Sequence, residues 1–131
     1  MDKQLQIKAT DNTPSVHFNA NSGILSIVGQ SLPDDAESFF RPLVDWMEEY
    51  AKNPAEETIM VLDLDFFNIS TSKRILFLLY ALADMQNKGH LVNVRWHYRD
   101  GDIYEVGQDY AFMVKIPFQF IEQGERVKIP A

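Results

Sequence analysis

Three hydroxyl residues in a row, Ser70-Thr71-Ser72, follow Asn68-Ile69 and precede the basic pair Lys73-Arg74. Just upstream, Asp63 and Asp65 form an Asp-x-Asp pair inside the run Val61-Leu62-Asp63-Leu64-Asp65-Phe66-Phe67. These are the side chains whose type and spacing could do chemistry. A hydroxyl at the start of a helix has two uses. Its oxygen can accept one of the free N–H groups of the first turn, which is a cap; Ser70 or Thr71 would serve. One cap does not require three hydroxyls. The second use is as a phosphoacceptor. A phosphate placed there meets free N–H donors and the positive end of the helix dipole, and adds about −1.5 to −2 charges. The pattern leaves cap and switch both open. For a switch, Ser70 is the first candidate and Thr71 the second, with Ser72 further into the helix. Asn68 would shape the turn. Lys73 and Arg74 would meet the phosphate or an acidic partner, or form a solvated first turn.

The Asp63/Asp65 pair supports a different chemistry. Strand side chains alternate, so both carboxylates share a sheet face. Small aspartyl phosphotransferases use such a pair as nucleophile and general acid. Against this, the chain is short and the pair comes late, with no second acidic pair placed for magnesium. A phosphoaspartate receiver would need acids at the end of an early strand; Asp34-Asp35 lie in a loop, although Lys115 comes suitably late. His17, His90 and His97 show no metal-ligand spacing. There is no Gly-rich phosphate loop and no Gly-x-Ser-x-Gly elbow. Asn68-Ile69-Ser70 matches a glycosylation sequon only formally.

The elements that must hold these residues read as follows. Leu5 to Ala9 is an edge strand. Ser15 to Asn19 and Ile24 to Val28 flank a hairpin turn over residues 19–23. Asp34 or Asp35 caps a helix over Ala36 to Lys52, whose stripe is Phe39, Phe40, Leu43, Trp46, Met47 and Tyr50. Pro42 within it predicts a kink or a restart. Thr58 to Phe67 is a nearly continuous apolar strand, the pattern of a buried parallel sheet. A second helix is expected over Ser72 to Lys88, stopped by Gly89. Leu91 to Tyr98 is a strand, Ile103 to Val114 a third helix and Phe118 to Glu122 the last strand, with a loose tail over residues 123–131. The order β-β-β-α-β-α-β-α-β makes one α/β domain over residues 1–131, core about 5–122. Its sheet is mixed, with right-handed crossovers between parallel neighbours.

Composition narrows the partners. The chain has 131 residues, 46% hydrophobic and 12% aromatic, enough for a real core, and no cysteine. Thiolate chemistry and disulfides are excluded. Net charge is −7, so nucleic acid and anionic membrane are poor partners. No run approaches the roughly 18–20 residues of a membrane span. The N-terminus lacks an apolar signal core, and the expectation is a cytoplasmic protein without cofactors.

The order, with Asn and hydroxyls at a strand-to-helix junction, resembles the anti-sigma-factor antagonist (STAS) domains, and most closely the SiaC-type regulatory phosphoproteins. The residues that carry the resemblance are Asp45-Trp46 and Tyr50, Phe66-Phe67-Asn68, Ser70 to Lys73, Val94-Arg95-Trp96-His97-Tyr98 and Pro117-Phe118. It covers roughly residues 12 to 122. The resemblance implies a STAS-like mixed sheet with helices on one side, and no catalysis by the domain. It implies a Ser/Thr kinase and a phosphatase as switching partners, and a diguanylate cyclase that the unphosphorylated form activates, giving a cyclic-di-GMP signal for surface attachment and biofilm. In that family the modified hydroxyl directly follows the Asn. Here Ile69 holds that position. Either Ser70 or Thr71 takes the role, or the chain is an unswitched binding module or homodimer.

Overall fold

The computed structural model describes residues 2–124. The first strands are β1 (Gln4–Ile7), β2 (Ser15–Asn19) and β3 (Ile24–Ser31), followed by helix α1 (Ala36–Tyr50). Then come β4 (Glu57–Phe67), α2 (Ile69–Asn87), β5 (Leu91–Tyr98), α3 (Gly101–Val114) and β6 (Phe118–Glu122). Together the strands form one six-stranded sheet in the order β1-β2-β3-β4-β5-β6. The first three are antiparallel and the rest parallel. The expected element order holds throughout.

Strand parity explains the layering. On β4, Thr58, Met60, Leu62 and Leu64 are buried while Ile59, Val61, Asp63 and Asp65 are not. Leu25 and Ile27 on β3, and Val92, Val94 and Trp96 on β5, bury on the same side. All three helices cover that face, α2 between α1 and α3, and among the described residues no helix covers the other face of the sheet, called the open face below. Burial of each large apolar side chain contributes about 1.5–3 kcal/mol.

Several boundaries differ from expectation. α1 runs through Pro42 without a break. Pro42 faces solvent, so the backbone carbonyl it cannot serve is not stranded in the core. α2 starts at Ile69, three residues before Ser72, because Asn68 caps it. α3 starts at Gly101, capped by Asp100, whose carboxylate accepts from the Ile103 N–H at 3.0 Å. β1 ends at Ile7 rather than Ala9, β3 runs on to Ser31 rather than Val28, and α1 ends at Tyr50 rather than Lys52, while two expected end signals hold. Asp35 caps α1, and Gly89 takes φ +95° past the end of α2. The expected loose tail lies, beyond Gly124, outside the described residues.

Two aromatic clusters organise the core. Trp46 stacks on Tyr50 at 5.0 Å, and the Tyr50 hydroxyl meets the buried Thr58 hydroxyl at 2.7 Å. On the other side, Trp96 donates its indole N–H to the Ile103 carbonyl at 2.9 Å and meets Tyr110 edge-on. α3 comes this close only because it carries Gly107. A Cβ there would lie 2.4 Å from Trp96 Nε1.

Gly107→Ala therefore tests the packing against helix propensity. Propensity alone would stabilise by about 1 kcal/mol. The overlap with Trp96 is expected to reverse the sign, for a net loss of roughly 1–3 kcal/mol. Urea unfolding with the tryptophan near-ultraviolet signal as probe measures it; an unchanged or raised midpoint would refute the account.

Candidate functional site

The junction between β4 and α2 brings the hydroxyl triplet to the carboxyl end of the sheet. β4 takes an extra residue against β3 here, so that Gly29 pairs with Leu64 but Ser31 pairs with Phe67. The bulge turns Phe67 toward Trp96 (ring centroids 6.5 Å apart) and leaves Phe66 exposed. Asn68 follows in an extended conformation and its carboxamide oxygen accepts the Thr71 N–H at 2.9 Å. The cap is thus Asn68, not Ser70 or Thr71, and the hydroxyls fall inside the first turn.

Helical rotation then sends the three hydroxyls in three directions. Thr71 is fully buried and donates to the Ser31 carbonyl at 3.2 Å. Its single proton is used there, so the Ser31 hydroxyl, 2.9 Å away and also fully buried, donates to Thr71 Oγ1. The Asn68 N–H shares the same Ser31 carbonyl at 3.1 Å. Ser72 points toward α3. Tyr110 donates its phenol to the Ser72 carbonyl at 2.9 Å, and the Ser72 hydroxyl lies 2.6 Å from the phenol oxygen. Ser70 is exposed and carries no side-chain hydrogen bond among the described residues. Ile69, at the first helical position, is 80% exposed.

Lys73 points to solvent, whereas Arg74 is half-buried. Its guanidinium lies 5.6 Å from the Phe77 ring centre. Its Nε is buried and has no hydrogen-bond partner among the described residues. Across the interface, the Ser38 hydroxyl and N–H hold the Asp35 carboxyl below its usual range, with a smaller push from Arg74. Glu37 and Arg74 line one pocket, so the starts of α1 and α2 sit close together.

Asp63 and Asp65 share a face, as expected, but it is the open face, away from the helices. Arg99 lies on both. One guanidinium nitrogen reaches Asp63 Oδ1 at 2.7 Å and Asp65 Oδ1 at 3.1 Å. The Asp63 hydrogen bond pushes the Arg99 pKa up. A guanidinium seated on both carboxylates offsets their mutual repulsion and makes them a structural ion-pair network. Among the described residues no group of three or more His, Cys, Asp or Glu is placed to hold a metal ion. No described helix is long and apolar enough to cross a membrane.

Ser31, Tyr110 and Arg99 were not anticipated as partners. Ser31 had a signal, since it follows Leu25, Ile27 and Gly29 at inward parity. Tyr110 and Arg99 lie 38 and 34–36 residues from their partners and had none.

These contacts separate the three hydroxyls by stability. Thr71→Val strands the Ser31 hydroxyl and takes one of two donors from the Ser31 carbonyl, and is expected to cost roughly 1–3 kcal/mol. Asn68→Ala loses the cap, about 1 kcal/mol, and Ser70→Ala should change stability by less than about 0.5 kcal/mol. Chemical denaturation gives the ranking; a Ser70→Ala cost equal to that of Thr71→Val would contradict it. Burial pushes the Tyr110 phenol up, while its Ser72 hydrogen bond pulls it down by less. Its folded pKa is above the unfolded value. Its contribution is therefore full below an ordinary phenol value of about 10 and fades as pH rises beyond it. Tyr110→Phe should flatten that alkaline loss in melts taken across this range.

Comparison with known proteins identifies the group to which this junction belongs. The family model described as SiaC family regulatory phosphoprotein matches residues 7–123. An uncharacterised protein of Pseudomonas aeruginosa (strain UCBPP-PA14) is 28% identical over 116 residues, covering 87% of this chain and 92% of its own length. The crystal structure of apo-SiaC from Pseudomonas aeruginosa superposes with a TM-score of 0.85 at 26% identity, covering 90% of this chain and 98% of that one. A chain of the crystal structure of the diguanylate cyclase SiaD in complex with its activator SiaC, from the same species, gives 0.86 at 26% identity, covering 91% and 99%. With the family model spanning nearly all of the described fold, the chain belongs to the SiaC family of regulatory phosphoproteins.

Proposed function

We propose that this protein acts by binding and activating a diguanylate cyclase, and that phosphorylation of Ser70 by a partner kinase turns the binding off, with a phosphatase restoring it. It works in the cytoplasm and performs no catalysis itself. The observation that carries the choice of acceptor is the division of labour in the first turn of α2. Thr71 is sealed against Ser31 and Ser72 is engaged by Tyr110. Ser70 is exposed and has no such bond. A kinase needs a hydroxyl it can reach, and Thr71 is reachable only by opening the junction.

The partner assignment draws on the relatives. Pseudomonas aeruginosa SiaC is described as the activator of SiaD, and the fold here matches a chain of that complex. A phosphate on Ser70 would bring about −2 charges next to the exposed Ile69, with the exposed Phe77 about two turns further along α2. Apolar contacts across an interface tolerate a desolvated dianion poorly, so the modification favours the dissociated state.

The expected result with the kinase that acts on this protein and ATP is phosphate on Ser70 by mass spectrometry, abolished in Ser70→Ala. Ser70→Asp should keep the fold and lower activation of Pseudomonas aeruginosa SiaD, read as cyclic-di-GMP formed from GTP, by about tenfold. Phosphate on Thr71 or Ser72 instead would move the switch. No phosphate with a kinase shown to be active would leave an unswitched binding module. A wild-type protein that neither binds nor activates SiaD would remove the partner assignment.

A further inference from the structure

Arg74 is charged and half-buried, yet among the described residues no carboxylate forms an ion pair with it. Its Nε is shut off from solvent and meets no acceptor. Its guanidinium lies 5.6 Å from the Phe77 ring centre. A guanidinium carries five N–H donors in a fixed fork, and a buried donor left unmet is a standing cost. The carboxylates nearby are otherwise placed. Asp35 holds the Ser38 N–H and hydroxyl, and Glu37 holds Arg41. Asp45 and Glu48 line the same pocket as Arg74 without pairing to it among the described residues.

Ser70 stands four positions before Arg74 on α2. Residues at that spacing are neighbours on a helix surface, with Cβ atoms about 5–6 Å apart. Helical side chains also lean back toward the N-terminus, so Arg74 leans toward the turn that carries Ser70. The other two hydroxyls have no cation at that spacing: Thr71 is followed there by Ile75 and Ser72 by Leu76. Ile69, directly after the Asn, is followed there by Lys73, which is exposed. A phosphate on Ser70 would offer three acceptor oxygens and about −2 charges. A guanidinium fork meets two such oxygens at once, which a lysine ammonium does not. At equal distance the dianion pulls about twice as hard as any single carboxylate of the pocket.

We propose that Arg74 is the built-in receiver for a phosphate on Ser70. Once the serine is modified, its phosphate takes the guanidinium fork and clamps the first two turns of α2. This rests on the Ser70 reading above and adds the residue that acts on the phosphate. Arg74 takes no part in phosphoryl transfer; it is a positioning residue for the product. The clamp also carries the modification beyond the atoms the phosphate touches. Drawing Arg74 toward Ser70 withdraws a cation from the pocket, whose other charged lining is Glu37, Arg41, Asp45 and Glu48. The start of α1 therefore becomes more acidic when Ser70 is modified.

The test uses the full chain with phosphoserine incorporated at position 70 during synthesis, so that it depends on no kinase. Phosphorus NMR follows the second ionisation of the phosphate with pH. A cation beside a phosphate favours the dianion and lowers that pKa. The midpoint should lie about half a unit or more lower in the wild-type background than with Arg74→Gln. Arg74→Lys should fall between, and Lys73→Gln should stay within about 0.2 units of wild type. The phosphoserine should also raise the melting temperature by about 2–5 °C, and by less with Arg74→Gln. If Arg74→Gln titrates like wild type, or Lys73→Gln removes the whole depression, the clamp is wrong. Should Arg74→Gln lose its fold by circular dichroism, the Arg74 Nε–H resonance of the wild-type background decides. A downfield move on modification supports the clamp, and an unmoved resonance overturns it. Failure of these readouts leaves the Ser70 switch standing. If an active kinase places the phosphate elsewhere, the Ser70 reading fails, and the clamp is withdrawn with it.

Discussion

The arrangement at the start of α2 depends on one buried contact, the hydroxyl pair of Ser31 and Thr71. It closes a small, fully satisfied polar network. The Ser31 carbonyl takes both the Thr71 hydroxyl and the Asn68 N–H, and the Asn68 carboxamide takes the Thr71 N–H. Each link is neutral and worth about 1 kcal/mol, but together they fix three things at once. They hold the end of β3 to the end of β4, set where the helix starts, and fix its rotation. Rotation decides which hydroxyl reaches the surface. A slip of one residue would turn the helix by about 100° and bring a different hydroxyl to the surface. With Thr71 locked inward, Ser70 faces solvent and Ser72 faces Tyr110.

That lock also explains a division between the two faces of the sheet. The helix face holds the core and the hydroxyl network. The open face holds Asp63, Asp65 and Arg99, a set of charges that would be costly under the helices and is affordable beside water. The acidic pair looked like a catalytic motif because a strand places i and i+2 together. The same geometry places two like charges together, and a single arginine meeting both is the simplest relief. Chemistry and electrostatic housekeeping leave the same mark in a one-dimensional pattern.

Much of the fold was legible because it depends on period. The unbroken apolar run of β4 and the stripe of α1 specify their states locally, and the alternation of strands and helices implies parallel neighbours. The junction was only half legible. Three hydroxyls beside an Asn were visible, but which one caps depends on where the strand ends. The β4 bulge at Gly29/Ser31 shifts that point. Asn outranks Ser only slightly as a cap, so propensity could not decide it. Tertiary contact did, through Ser31, a residue 40 positions from Thr71. Pro42 was misleading for a related reason. Its cost is steep in a buried helix interior and much smaller on the solvent face, where the freed carbonyl meets water.

These facts bear on how a phosphate at this junction would act. Added to Thr71 it would have to break the Ser31 pair and force a dianion into the core, which would melt the start of the helix. Added to Ser70 it would stay in water, one step from the first-turn N–H groups of Ile69 and Ser70, which have no partner within the helix. There the helix dipole favours negative charge by about 0.3–1 kcal/mol. A modification at Ser70 would therefore leave the fold intact or slightly firmer while changing the charge of the surface around it. Under the switch proposed above, the modified form would remain folded and so could return once the phosphate is removed. The buried hydroxyl beside it makes this possible: Thr71 holds the helix in place so that Ser70 need not.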